Sequence, residues 1–182
     1  MLAETTTQEN TEPRVAKFRI TPTHPDFVIA QGQSSEARRL GNSLNYVARK
    51  VYDQRAYNRE FNKTVTDKRK RIRNTHTKID RLFQDPELLA MGVVPWLKKN
   101  KGCVFTHKHN FSGLMKPVSV WLGLQLPAKI AQLVGVKLAE AWKSYHEVLM
   151  RFYADPKLNQ KPRPPGYKKQ FGYVEYNKQA IN

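Results

Sequence analysis

The sequence predicts a mainly α protein of the α+β class, a helical bundle flanked by strands. Three observations carry this. Apolar residues recur at helical spacing over two long stretches, about 35–63 and 127–155. Residues 14–20 alternate with period two, and Phe171, Tyr173, Val174 and Tyr176 make a β-rich stretch close to the other end. The hydrophobic share is 40%, enough for a core, and charged residues at 26% describe a soluble chain.

The first strand places Val15, Lys17 and Arg19 on one side and Ala16, Phe18 and Ile20 on the other. Thr21-Pro22-Thr23-His24-Pro25 breaks it, because proline lacks the ladder donor. Phe27-Val28-Ile29-Ala30 reads as a short second strand. Ser34-Ser35-Glu36 then offers an N-cap with an acid in the first turn. Leu40, Leu44, Val47, Val51 and Phe61 extend the helix that follows to about residue 63.

Asp67 caps an expected second helix over 68–83. Its thin apolar stripe (Ile72, Ile79, Leu82, Phe83) lies beside Lys68, Arg69, Lys70, Arg71, Arg73, Lys78 and Arg81, so its polar side is almost wholly cationic. Pro86 opens a short helix with Leu88, Leu89 and Met91 that ends near Gly92. From Val93 to Gly123 the residues Pro95, Gly102, Gly113 and Pro117 break any period, and the stretch reads as irregular, holding short helices or an extended hairpin.

Pro127 suits the first position of the next helix. That helix has the broadest apolar face in the chain, running from Ile130 through Leu138, Trp142, Tyr145 and Leu149 to Phe152. It stops at Asp155-Pro156, and a Pro/Lys-rich segment leads to Gly166-Tyr167-Lys168-Lys169 and the closing strand pattern. The expected organisation is a tail over 1–13, first strands over 14–32, a helical lobe over 33–156, and a basic segment with returning strands over 157–182. The last strand runs up to Asn182 with no following partner for its ladder groups, so the chain reads as unfinished.

Charge points to a class of partner. The 182 residues carry 32 Lys+Arg against 15 Asp+Glu, a net charge of +17, and such a surface repels itself unless a polyanion lies near. The excess is spread along the chain. Residues 88–139 hold seven lysines and no acid, residues 49–81 hold 12 basic residues against four acids, and residues 157–169 hold five basic residues and no acid. Phosphate neutralisation along a groove or channel accounts for all three together, which makes nucleic acid the expected partner. Exposed rings among Tyr46, Tyr52, Tyr57, Tyr167, Phe171, Tyr173 and Tyr176 could stack on unpaired bases, although helix faces and strands need aromatics too.

No apolar run approaches the ~18 residues of a bilayer span, so no membrane partner is expected. The stretch Met1 to Glu12 is polar and acidic, unlike a secretory signal, and the expected compartment is the cytoplasm. Cys103 is the single cysteine, which excludes an internal disulfide or a two-CxxC zinc ribbon within this sequence. The pair His107 and His109 lacks further ligands in sequence, and Cys103 lacks an identifiable base and orienter. No acid cluster suited to two-metal chemistry stands out. No catalytic residue, metal or cofactor is therefore assigned.

The succession Leu126-Pro127-Ala128-Lys129-Ile130-Ala131-Gln132, then Ala141-Trp142-Lys143-Ser144-Tyr145, Lys161-Pro162-Arg163-Pro164-Pro165-Gly166-Tyr167-Lys168-Lys169 and Gln179-Ala180-Ile181 resembles the amino-terminal region of TnpB/OrfB-type proteins. These are transposon-encoded RNA-guided DNA endonucleases, named transposases and related to type V CRISPR effectors. Gly41-Asn42-Ser43-Leu44-Asn45-Tyr46-Val47 and Arg55-Ala56-Tyr57 resemble the first recognition-lobe helix of that family. The resemblance spans about 27–182, is most specific over 126–181, and is poor over 64–125.

It implies a helical recognition lobe inserted into a wedge β-barrel, here incomplete, with the RuvC-like nuclease domain and zinc ribbon lying beyond Asn182. It implies contacts from Lys143, Lys161, Arg163, Tyr167, Lys168 and Lys169 to structured guide RNA or to the RNA–DNA heteroduplex, without cleavage by this chain. A nuclease half encoded downstream is the implied protein partner. A helix-turn-helix-like DNA-binding regulator and a non-functional transposase remnant are the competing readings.

Overall fold

The computed structural model describes residues 21–63, 79–101, 105–155, 157 and 160–169. Its frame is three long helices, α1 (Phe27–Lys63), α4 (Lys108–Leu122) and α5 (Ala128–Ala154). Between α1 and α4 lie a 3-10 turn (Ile79–Gln84) and two short helices, α2 (Pro86–Ala90) and α3 (Val94–Lys99). The long helices pack pairwise on one another, and the 3-10 turn packs on α1, α2 and α3. Among the described residues there is no strand, and no helix is long and apolar enough to cross a membrane.

Helix α1 begins eight residues earlier than the sequence pattern suggests. Phe27–Ala30, expected as a strand, forms its first turn, so residues 27–32 belong to the helical part. The Thr21–Asp26 turn leads into it, with the Phe27 amide donating to His24 O at 3.0 Å and the Ala30 amide to Asp26 O at 2.9 Å. A four-residue apolar run carries no period that separates strand from helix, and here the helix is simply continued backwards to Pro25-Asp26. The cost is visible in Val28 and Ile29, 74% and 60% exposed. Further on, Leu40, Leu44, Val47, Ala48 and Val51 are buried at helical spacing, as expected.

The 3-10 turn occupies the end of the second expected helix. Lys68 to Lys78 fall outside the described residues, as do the strand patterns at 14–20 and 171–176. Asp85 caps α2 by accepting from the Glu87 and Leu88 amides at 3.0 and 3.2 Å, with Pro86 at the first helical position as its fixed φ favours. Leu88, Met91, Val93, Val94 and Leu97 then enter the core.

The stretch expected to be irregular is mostly helix. Phe111, Leu114 and Val118 of α4 are buried, and their spacing outweighs Gly113 and Pro117. Pro117 and Gly113 are four residues apart, so the bond that proline cannot make is the one to the glycine carbonyl. Gly123, at φ 63°, ends α4: its amide donates to Val120 O at 3.1 Å and that of Leu124 to Ser119 O at 3.0 Å, closing the last carbonyls in a left-handed cap.

Pro127 caps α5 rather than starting it, accepting from the Ala131 amide at 3.1 Å. The face predicted for α5 is the one it buries, with Ile130, Ala139, Trp142, Tyr145 and Leu149 all at 7% exposure or less. Gly135 lies against Met115 and Phe111, which lets α4 and α5 approach closely.

Candidate functional site

Residues 160–169 form neither helix nor strand, and their part from Pro165 to Lys169 lies along α1, so the segment makes a strap. An extended peptide laid on a helix leaves its N–H and C=O groups without ladder partners, so side chains must supply them. Asn42, Asn45 and Arg49 stand close to one face of α1 because seven residues make nearly two turns. Asn42 acts twice: its Nδ2 donates to Lys168 O at 3.0 Å and its Oδ1 accepts from the Lys168 amide at 2.9 Å. Asn45 Nδ2 donates to Pro165 O at 3.0 Å and Gly166 O at 3.1 Å. Arg49 donates to Pro165 O at 3.2 Å and Arg38 to Lys169 O at 3.2 Å. The strap therefore runs antiparallel to α1, from Arg49 towards Arg38.

Asn45 ties this clamp to the core. It is 1% exposed, and its Oδ1 accepts from Trp142 Nε1 at 3.0 Å, so one amide joins α1, α5 and the strap. Trp142 packs with Tyr52 and Tyr145 at ring separations of 5.6 and 5.7 Å. The two tyrosine hydroxyls are also hydrogen-bonded to each other. Tyr52 is thus a core ring. Tyr46 is half-buried and donates to the Glu87 carboxylate, whereas Tyr57 and Tyr167 are 55% and 47% exposed. The Arg49 guanidinium lies over the Tyr167 ring, 5.3 Å from its centroid.

Of the cations singled out in sequence, the structure brings Lys161, Arg163, Lys168 and Lys169 together on the strap, all exposed, with no acid among residues 160–169. Lys143 is not with them. It stands on another face of α5, 4.0 Å from Glu147, beside a shallow cleft that includes His107, His146 and Arg151. Arg81 is exposed on the 3-10 turn. Lys68, Arg69, Lys70, Arg71, Arg73 and Lys78 lie outside the described residues, as do Phe171, Tyr173 and Tyr176.

The clamping residues Asn42, Asn45, Arg38 and Arg49 were not singled out as functional from sequence. Their signal was two asparagines, which favour caps and turns over helix interiors, placed three apart inside a long helix next to its apolar stripe.

Beneath the strap, α1 and α5 leave a cleft of about 580 Å³. Its walls are aliphatic, including Leu133, Val134 and Leu138, and its mouth carries Arg38, Lys137, Lys168 and Lys169 without a carboxylate. Elsewhere on α1, Lys50 Nζ meets Asp85 Oδ2 at 2.9 Å. Burial alone would raise the Asp85 carboxyl, but Lys50 and the Leu88 and Glu87 amides more than offset this and hold it below its usual value. The hydrogen bond to Asp85 raises the Lys50 ammonium. Burial, followed by the Glu87 carboxylate, raises the Tyr46 phenol against the opposing effect of Lys50.

Comparison of the chain with protein-family models, curated proteins and solved structures finds no match. The fold and the site themselves define a helical protein with a basic, acid-free strap clamped along its longest helix.

Proposed function

We propose that this chain binds nucleic acid through phosphate contacts, as the gripping amino-terminal part of a TnpB-like transposase. The observation that carries the reading is the strap. Four cations stand on it, and hydrogen bonds from Arg38, Asn42, Asn45 and Arg49 hold its backbone from Pro165 to Lys169, so Lys168 and Lys169 are placed before any partner arrives. A preorganised row of cations suits a regularly spaced polyanion, because little ordering entropy remains to be lost on binding. Phosphate contacts of this kind position a strand and carry no base sequence.

The direction of the strap supports the finer fold reading. Lys169 contacts Arg38, only about 16 Å of helix from Phe27 at ~1.5 Å per residue. In this reading the strand-patterned segments over 14–20 and 171–176, which lie outside the described residues, belong to the sheet of a wedge barrel around guide RNA and its DNA target. The nuclease half belongs to a separate segment in this reading, and no cleavage is expected of these residues.

The test is a salt titration of binding to structured RNA, to duplex DNA and to an RNA–DNA hybrid, with and without Mg²⁺. Log affinity is expected to fall against log salt with a slope of roughly −3 or steeper, from at least four phosphates neutralised at ~0.7–0.9 each. A flat response, or Mg²⁺-dependent cutting by the purified chain, overturns the proposal. A footprint on one duplex sequence without RNA would instead mark a DNA-binding regulator.

A further inference from the structure

We propose that the cleft beneath the strap seats one unpaired nucleobase of the bound polynucleotide, with the flanking phosphates held at its mouth. This rests on the nucleic-acid reading and adds to it a site that reads strandedness. The volume of about 580 Å³ falls within the ~300–1,000 Å³ typical of pockets that bury a small molecule. Leu133, Val134 and Leu138 of α5 and Ala37 and Gly41 of α1 line the cleft, so much of its surface offers dispersion contacts to a flat ring, with Ser34, Asn42 and Asn45 adding polar groups. At Gly41 the two helices come close, a β-carbon there standing 3.4 Å from Val134 Cγ1, so a ring would sit beside this contact and not between the two residues.

The mouth distinguishes the occupant. Arg38 comes from α1, Lys137 from α5, and Lys168 and Lys169 from the strap, so cations border it on three sides. A single carboxylate on an acyl chain needs one such side. A base turned out of a polynucleotide brings a phosphate before it and another after it, and these can meet cations on separate walls. The strap forms the roof through Pro165 and Gly166, whose carbonyls are already engaged by Asn45, so the pocket is shaped in advance of the ligand.

The probe is a hairpin carrying one 2-aminopurine as a bulged base, compared with the same hairpin fully paired. The bulged form is expected to bind more tightly, by no more than the roughly five- to hundredfold that stacking a base on an aromatic side chain provides, and its fluorescence to change on binding. Ala141→Phe on the exposed side of α5 and Ala37→Phe on the opposite wall each fill the cleft, and each should bring the affinity ratio to about one. Melting curves identify which of the two variants is folded.

If a folded, filled variant keeps the preference, or the native chain shows none while binding both hairpins, the pocket is overturned and the phosphate-binding reading stands. Failure to bind either hairpin overturns both. Competition by dodecanoate without a fluorescence change, or a dimer that Ala141→Phe dissociates, assigns the cleft to another occupant and overturns the proposal.

Discussion

Replacing Asn45 with alanine tests whether one amide couples the core to the strap. Trp142 is 1% exposed, so water cannot easily replace the lost acceptor for its indole N–H. An orphaned buried donor costs about 1–3 kcal/mol. The strap side loses less, because Pro165 O keeps Arg49 and the exposed Gly166 can be hydrated. Two neutral hydrogen bonds of modest net value add about 1 kcal/mol after that compensation. The expected cost is therefore about 2–4 kcal/mol, or roughly 5–15 °C in Tm for a chain of this size.

Urea denaturation is the assay, with the midpoint lowered and the slope unchanged. A cycle with Trp142→Phe should give a coupling of about 0.5–3 kcal/mol, since the two residues share one hydrogen bond. Asn45→Asp should be worse than alanine at neutral pH, because it sets a buried carboxylate against two carbonyl oxygens. A loss below about 0.5 kcal/mol for Asn45→Ala, the size of an ordinary surface change, or zero coupling to Trp142, would refute the reasoning.

Two helix glycines should respond in opposite directions to alanine. Gly32 has open space around its missing side chain, so Gly32→Ala should stabilise by about 0.5–1 kcal/mol, whereas a β-carbon at Gly113 would collide with the Trp96 indole, and Gly113→Ala should destabilise by about 1–3 kcal/mol, both read by thermal melting. Asp85→Asn keeps the helix cap and removes the ion pair with Lys50, which is 39% exposed and worth at most about 1 kcal/mol. The Asp85 carboxyl is held low in the folded state, so its contribution is present above the unfolded value of about 3.9 and is lost as pH falls through the folded value. The stability gap between native and variant should thus close in acid. The raised Lys50 contributes fully below about 10.4 and loses its share as pH climbs through the folded value. A gap that is the same at pH 3 and pH 7 would contradict this. Neutralising Lys161, Arg163, Lys168 and Lys169 together should flatten the salt slope by roughly 3 while leaving the urea midpoint almost unchanged, because these side chains are exposed.

The apolar stripes of α1 and α5 were legible because a repeat near 3.6 residues over 27 or 37 positions leaves one face to bury. The Pro86 start of α2 was legible for a local reason, a proline placed where no amide donor is missed, whereas the Asp85 cap was not read from sequence. The beginning of α1 and the helix through Pro117 were not. A short apolar run has no period, and the disfavoured proline is outweighed by Phe111, Leu114 and Val118 packing against distant partners.

By itself the sequence determined two of the three long helices, the excess of positive charge and its concentration in stretches free of acid. Those are properties of neighbours along the chain. Only the tertiary structure decided which cations share a surface: it set Lys143 on one side of α5 and Lys168 and Lys169 on the other, and made Asn45 a buried bridge rather than a polar residue in a helix. Pairings across 97 to 131 residues of sequence separation leave no local pattern, because each depends on where another helix brings its face.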